Sequence, residues 1–244
     1  MEYITLEIKF KFTKKRILFI SDMHVPYHHK DSIRFLKALK KKYKPHLVVS
    51  VGDLGDFHNI SFHKSDPNLP NAGDELKSLQ KYSREIEKIF PKMIITMGNH
   101  DALPLRQLFN NGLPHSLLLP YNHIYGVGDG WQFVPDLTIK DGSEIIYVVH
   151  GISKSGIKLA AQRGVHVVQG HYHTDFRLDY ISNPRNLLWS MQVGCLIDRT
   201  ALAFAYDKLN LNRPIIGCGL VDAGLPKLLP MVLKSTHKWN GATP

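Results

Sequence analysis

Between Ile17 and His173 the chain carries five short apolar runs, and each breaks off at a turn bearing Asp, Asn or His. Ile17-Leu18-Phe19-Ile20 leads into Ser21-Asp22-Met23-His24, and Leu47-Val48-Val49-Ser50-Val51 into Gly52-Asp53-Leu54-Gly55-Asp56. Met93-Ile94-Ile95-Thr96-Met97 leads into Gly98-Asn99-His100-Asp101 and Ile145-Ile146-Tyr147-Val148-Val149 into His150-Gly151. Val165-His166-Val167-Val168-Gln169 ends at Gly170-His171-Tyr172-His173. Apolar runs of this length, bounded by Gly or Pro, predict strands buried on both faces. The carboxyl ends of such strands are where an α/β sheet binds ligands.

Helical spacing fills the intervals. A helix is predicted from near Asp31, with Ile33, Leu36 and Leu39 on its apolar face and lysines over its last turn, where they complement the helix dipole. A second is predicted near Asp74 to Phe90, with Leu76, Leu79, Ile86 and Ile89 inward, and a third over Ser153 to Gln162. Ile4 to Phe12 alternates strictly and predicts a half-buried strand at an antiparallel edge. Asp141-Gly142 predicts a hairpin turn. After His173, strands are expected over Phe176 to Ile181, Leu187 to Val193 and Ala201 to Tyr206, with the Pro- and Gly-bearing tail from Asn210 wrapping the surface. Alternating strands and helices followed by consecutive strands point to an α/β fold of two sheets packed face to face with helices outside, which periodicity by itself does not distinguish from an open three-layer fold, residues 1–244 forming one domain. Two segments emerge beside the strand ends and are expected to be substrate-side loops. Residues 57–73 carry Phe57, His58 and His63, which either touch substrate or are solvent-exposed loop residues; residues 102–140 hold a short helix over Leu103 to Phe109, then Tyr121, Tyr125 and Trp131, to which no role is assigned.

Composition narrows the picture modestly. At 43% hydrophobic over 244 residues the chain can build a sizeable core. No run approaches the roughly 18 apolar residues of a membrane span, and no secretory leader is evident, so a cytoplasmic location is expected. Cys195 and Cys218 read as two buried thiols. The formal charge of +10 implies attraction to anions, a phosphorylated small molecule and a nucleic acid equally. The densest basic run, Lys37 through Lys44, reads as the solvated end of the first helix.

The chemistry lies in the ordered set of turns. With 14 histidines in 244 residues about one His-x-His pair is expected by accident, so no single motif decides. Asp22-x-His24, Gly52-Asp53-x-x-Asp56, Gly98-Asn99-His100-Asp101, His150-Gly151 and Gly170-His171-x-His173 together resemble the five blocks of the calcineurin-like metallophosphoesterases, in that family's order. The resemblance implies a four-layer α/β/β/α sandwich and a two-metal phosphoester hydrolase. Oxygen and imidazole ligands without cysteine suit manganese, iron, zinc, nickel or cobalt, and seven such side chains exceed what one ion takes; manganese is the expected ion, with the others and magnesium as alternatives. By resemblance, Asp22, His24 and His173 bind one ion, Asn99, His150 and His171 the other, and Asp53 bridges them. His100 is then the catalytic acid or electrostatic stabiliser, with Asp101 fixing its tautomer, while Asp56 orients a ligand or supports its turn.

Substrate class is read by elimination. Family protein phosphatases carry Asp-Arg-Gly at the second block, where this chain has Asp56-Phe57-His58. Recombination-type nucleases append a DNA-gripping domain after the last block, for which the residues after His173 leave little room. The compact chain loosely resembles phage-encoded deoxynucleoside monophosphatases of the superfamily. The expected activity is that of a phosphomonoesterase on a nucleotide such as a (deoxy)nucleoside 5′-monophosphate, a DNA or RNA nuclease or phosphodiesterase being the alternative. A catalytically silent binding protein of this fold would have no use for the seven ligand types.

Overall fold

The computed structural model describes residues 5–62, 68–201 and 213–244. Ile4, His63 and the predicted strand beyond Ala201 lie outside the described residues. The strands are β1 (Leu6–Lys9), β2 (Arg16–Ile20), β3 (Leu47–Ser50), β4 (Met93–Thr96), β5 (Trp131–Val134) and β6 (Leu137–Asp141), then β7 (Glu144–Val149), β8 (His166–Gln169), β9 (Phe176–Ser182), β10 (Leu187–Val193), β11 (Gly217–Asp222) and β12 (Leu225–Pro230). The main helices are α1 (Ser32–Tyr43), α2 (Ala72–Ile89), α3 (Leu103–Asn110), α4 (Tyr121–Tyr125) and α5 (Gly156–Arg163).

The layering follows from the two-residue period inside each apolar run. In β2, Ile17 and Phe19 point into a core that Val49 and Ile94 share with Leu137, Ile146, Val168 and Met191 of the other sheet. Leu18 and Ile20 point the opposite way, into a core with Phe35 and Leu36 of α1 and Leu79 and Ile86 of α2. One sheet runs β12-β11-β2-β3-β4-β5 and the other β1-β6-β7-β8-β10-β9. The outer face of the second sheet packs Tyr147, Val149 and Val167 against Leu159 and Ala160 of α5. The result is the expected α/β/β/α sandwich. Each fully buried Ile, Leu or Phe in these layers contributes about 1.5–3 kcal/mol.

Local signals place the helices. Asn71 caps α2, its side chain accepting from the Asp74 backbone N–H at 3.0 Å. Lys44, left-handed with φ 44°, closes α1 by donating its backbone N–H to the Lys40 carbonyl. No helix among the described residues is long and apolar enough to cross a membrane. Cys195 and Cys218 are buried free thiols, and burial pushes both well above the usual thiol pKa.

Four expectations are corrected. β1 sits at a sheet edge but runs parallel to β6, whose antiparallel partner is β7 on its other side. Residues 102–140 are not a run of loop: they build α3, α4, β5 and most of β6, with Trp131 and Tyr125 buried. Leu76 does not join the α2 core and remains 37% exposed, while Glu75 beside it turns inward to accept from the His58 and Asn59 backbone N–H groups. The tail does not wrap the surface: β11 pairs antiparallel with β2 in the middle of a sheet. Its glycines read as loop punctuation but serve close approach, since a Cβ at Gly219 would fall 2.7 Å from Val193 and 2.9 Å from Met191 of the facing sheet.

Candidate metal centre

β2, β3 and β4 of one sheet and β7 and β8 of the other end at the same edge of the sandwich, so all five turns converge there. The backbone is forced where they meet. Asp22, His24, Asp53 and His171 adopt positive φ of 48°, 47°, 48° and 69° without being glycine, a strained conformation held by the surrounding hydrogen bonds. The His24 N–H donates to the Asp53 carbonyl at 3.0 Å and the Asp22 N–H to the Gly52 carbonyl at 3.0 Å, locking the first turn to the second. Gly98 is required by contact: a Cβ there would lie 2.0 Å from the Asp53 carboxylate and 2.4 Å from its backbone nitrogen.

The seven side chains singled out in the sequence are brought together. Asp22, His24 and His173 form one group and Asp53, His150 and His171 another, donor atoms in each lying within 4.8 Å of one another. His173 Nε2 is 3.1 Å from Asp22 Oδ1 and 3.2 Å from His24 Nε2. His150 Nε2 is 3.0 Å from Asp53 Oδ2 and 3.2 Å from both Asn99 Oδ1 and His171 Nδ1. Asp53 Oδ2 also stands 3.8 Å from His24 Nε2, between the groups. Two ligands each about 2.1 Å from an ion, at angles between square and tetrahedral, are about 3.0–3.4 Å apart. The donor set therefore fits divalent metal.

Tautomers are set from behind. His24 Nδ1 lies 2.5 Å from Asp56 Oδ1, and His150 Nδ1 donates to the Val51 carbonyl at 2.8 Å. Both rings thus turn Nε2 toward the centre. Asp22, Asp53, His24 and His150 form a buried floor, and Asn99, His100, His171 and His173 a more open rim. Burial works against charge on Asp22 and Asp53, yet His150 above all holds both carboxyls well below the usual range, helped by His24. Burial likewise disfavours the cationic rings, but Asp22, Asp56 and Asp53 push His24 well up, and Asp53 and Asp22 push His150 up to about 10. His171 is pushed down by burial and by His150. A divalent ion would take the place of the protons that these rings hold, since ligating imidazoles are neutral.

His100 stands at the rim with its ring edge against His24, centroids 4.6 Å apart. Its backbone N–H donates to Asp53 Oδ1 at 2.8 Å, and its Nδ1–H to the Asp56 carbonyl at 2.6 Å. This corrects the role expected of Asp101. That carboxylate is fully buried under the turn and accepts from Gly98 N–H at 3.0 Å, Gly55 N–H at 3.1 Å and the Tyr125 hydroxyl, not from His100. It pins the third turn to the second, and Asp56 holds the ring. Burial and the Asp53 charge push the Asp101 carboxyl up. Tyr125 was given no role by its sequence context, because the pairing spans 24 residues and no local spacing signals it. Phe57, a candidate substrate contact, is instead buried against Tyr125 at 5.9 Å. His58 lies nearer the centre, Nδ1 3.8 Å from Asp56 Oδ2.

Tyr125→Phe is expected to lower stability by about 1–3 kcal/mol, because Asp101 keeps its burial and loses a donor. Thermal unfolding measures it, and an unchanged midpoint would show the contact to be dispensable.

The family model for calcineurin-like phosphoesterases matches residues 15–198. The chain belongs to that family. It is a metal-dependent phosphoesterase, a hydrolase of phosphoric ester bonds. Among solved structures, a novel archaeal phosphodiesterase is similar at 16% identity with a TM-score of 0.50, covering 88% of this chain and 99% of its own. Vps29 from Chaetomium thermophilum is 15% identical with a TM-score of 0.49, covering 95% of each chain. The phosphoesterase Yfce from E. coli is 14% identical with a TM-score of 0.47, covering 94% of this chain and 98% of its own. At these identities the likeness concerns the fold alone. No match is found among curated proteins.

Proposed function

We propose that this phosphoesterase is a two-metal phosphomonoesterase releasing phosphate from a nucleotide such as a (deoxy)nucleoside 5′-monophosphate. Asp22, His24 and His173 hold one ion, Asn99, His150 and His171 the second, and Asp53 lies between them, manganese being one of the ions that the oxygen and imidazole set suits and the one we propose. The observation that carries this reading is the convergence of the two donor groups on either side of the Asp53 carboxylate. When bound, the ions supply a nucleophilic hydroxide and neutralise charge on the phosphate. Two carboxylates against two divalent ions leave the floor net positive, which draws a phosphate dianion to the rim. His100, its Nδ1–H held by the Asp56 carbonyl, presents Nε2 to the leaving oxygen and donates a proton or stabilises its charge.

The test is phosphate release, with added manganese, from nitrophenyl phosphate, bis-nitrophenyl phosphate and a panel of nucleoside 5′-monophosphates. Monoesters should be turned over fastest. A clear preference for the diester would overturn the monoesterase reading in favour of a phosphodiesterase or nuclease.

Charge supplies a second test, because an enzyme gripping duplex DNA loses affinity steeply with salt, about 0.9 in logarithmic slope per phosphate contacted. The lysine run reads as helix end: Lys40, Lys41, Lys42 and Lys44 are exposed, Lys40 Nζ donates to the Ile89 carbonyl and Lys42 Nζ to the Thr243 carbonyl at 2.9 Å. Reversing these four to Glu should change monophosphate turnover less than about twofold and reveal no duplex cleavage to lose. Processive degradation of long DNA at low salt, abolished by the reversal, would promote the nuclease.

A further inference from the structure

Beside the metal centre two clefts of about 590 and 600 Å³ adjoin, sharing Lys30, Arg34 and Asp198 on their walls. The nearer one is tied to the first metal-site turn. The Tyr27 N–H donates to the His24 carbonyl at 2.6 Å, the Asp198 N–H to the Tyr27 carbonyl at 2.8 Å and the Leu196 N–H to the Asp22 carbonyl at 3.0 Å. The Tyr27 ring stands 6.5 Å from that of His58, and its hydroxyl is buried; burial, with the Glu75 and Asp56 charges, pushes its pKa up.

Its lining is mixed. Pro26, Tyr27, Ile33 and Tyr82 give an apolar and aromatic floor. Arg34 and Lys37 stand about one 5.4 Å turn apart on α1, and Lys30 lines the cleft just before the start of that helix. In the farther cleft the cations continue with Arg199, Lys234 and Lys238. Among the described residues, six cations and three carboxylates, Asp31, Asp198 and Glu85, line the two clefts. Asp31 is already engaged, 3.3 Å from Arg34 and accepting the Trp239 backbone N–H at 2.9 Å. Arg34 is braced by its position 5.2 Å from the Trp239 ring centre and still 62% exposed. A bare anion site would not need the floor, and an apolar site would not need the cations. Cations beside aromatic side chains suit a single nucleic-acid strand, whereas a duplex hides its base faces.

We propose that this double cleft binds single-stranded nucleic acid, its bases on the Tyr27 and Tyr82 floor and its phosphates along Lys30, Arg34 and Lys37 toward Lys234. Combined with the monoesterase reading on which this direction of the strand rests, the substrate is the terminal phosphomonoester of a strand, with the free mononucleotide as its shortest member.

Binding is read without turnover of a monoester, by fluorescence anisotropy of a 3′-labelled, 5′-hydroxyl dT12 on the full-length, manganese-loaded protein. Affinity should fall with salt at a logarithmic slope of about 2, three phosphates at about 0.7 each. Arg34→Glu combined with Lys234→Glu should weaken binding at least about tenfold, while Lys41→Glu with Lys42→Glu, at the far end of α1, should leave it within about twofold. Thermal unfolding verifies that each variant is folded, and Arg34→Gln, which removes charge without reversing it, should lower the slope by about 0.7. Equal loss in both double variants would mean diffuse charge and overturn the proposal. Displacement of dT12 by inorganic polyphosphate at equal charge would overturn it too, since the floor would then contribute nothing, as would adhesion to phosphatidylserine vesicles without oligonucleotide binding. Phosphate release from mononucleotides, measured separately, reports on the monoesterase reading and leaves this result untouched.

Discussion

Asp53→Asn should remove nearly all activity. The side chain is 1% exposed, its Oδ2 lies 3.0 Å from His150 and 3.8 Å from His24, and its Oδ1 accepts the His100 N–H at 2.8 Å. The amide keeps the shape and the bond to His100 but takes the negative charge from between two cation sites. With about 4 kcal/mol of transition-state charge stabilisation lost, turnover should fall about 10³-fold or more. Metal content by elemental analysis should fall with it, and His150→Ala should behave alike. Full metal content and full turnover in the Asp53→Asn protein, or full turnover by chelator-treated wild type, would sink the assignment of Asp53 as the bridging ligand.

What the sequence shows of this site is the part written in local order. Each of the five turns follows a run whose apolar side chains are inward on both faces, and burial on both faces is what makes the run continuous in the sequence. The strand positions and the ligand types at their ends could be read for that reason. The partners that hold those ligands could not. Asp101 follows His100 directly, and adjacency suggested a pair, yet in a tight turn neighbouring side chains point apart: Asp101 goes under the turn to Gly55, Gly98 and Tyr125, while His100 goes outward to the Asp56 carbonyl. Tertiary approach decided this, and it leaves no spacing in the chain.

The same reason explains the tail. Glycine in a run such as Gly217-Cys218-Gly219-Leu220 reads as a turn when only propensity is considered. Here it marks a strand whose neighbours in the facing sheet, Met191 and Val193, come too close for a side chain. The parallel direction of β1 was hidden similarly: alternation reports which face of a strand is buried, not which way it runs.

His100→Ala separates catalysis from metal binding. The ring makes its bond to the Asp56 carbonyl and an edge contact with His24, and it is 26% exposed in a rim position. Its removal leaves the Asp56 carboxylate on His24 and the Asp53 carboxylate among the cation sites, so metal content and thermal stability should stay near wild type. Turnover should nonetheless drop about 10²- to 10⁴-fold, the range for losing a positioned acid or base. The leaving group then distinguishes the two ways in which the ring can act. Nitrophenolate departs without a proton, so if His100 donates one, the loss should be small on nitrophenyl phosphate and large on a nucleoside monophosphate, whose alkoxide needs it. An equal loss on both would assign His100 to charge stabilisation instead. Loss of metal together with activity would remove it from catalysis and make it a support for His24.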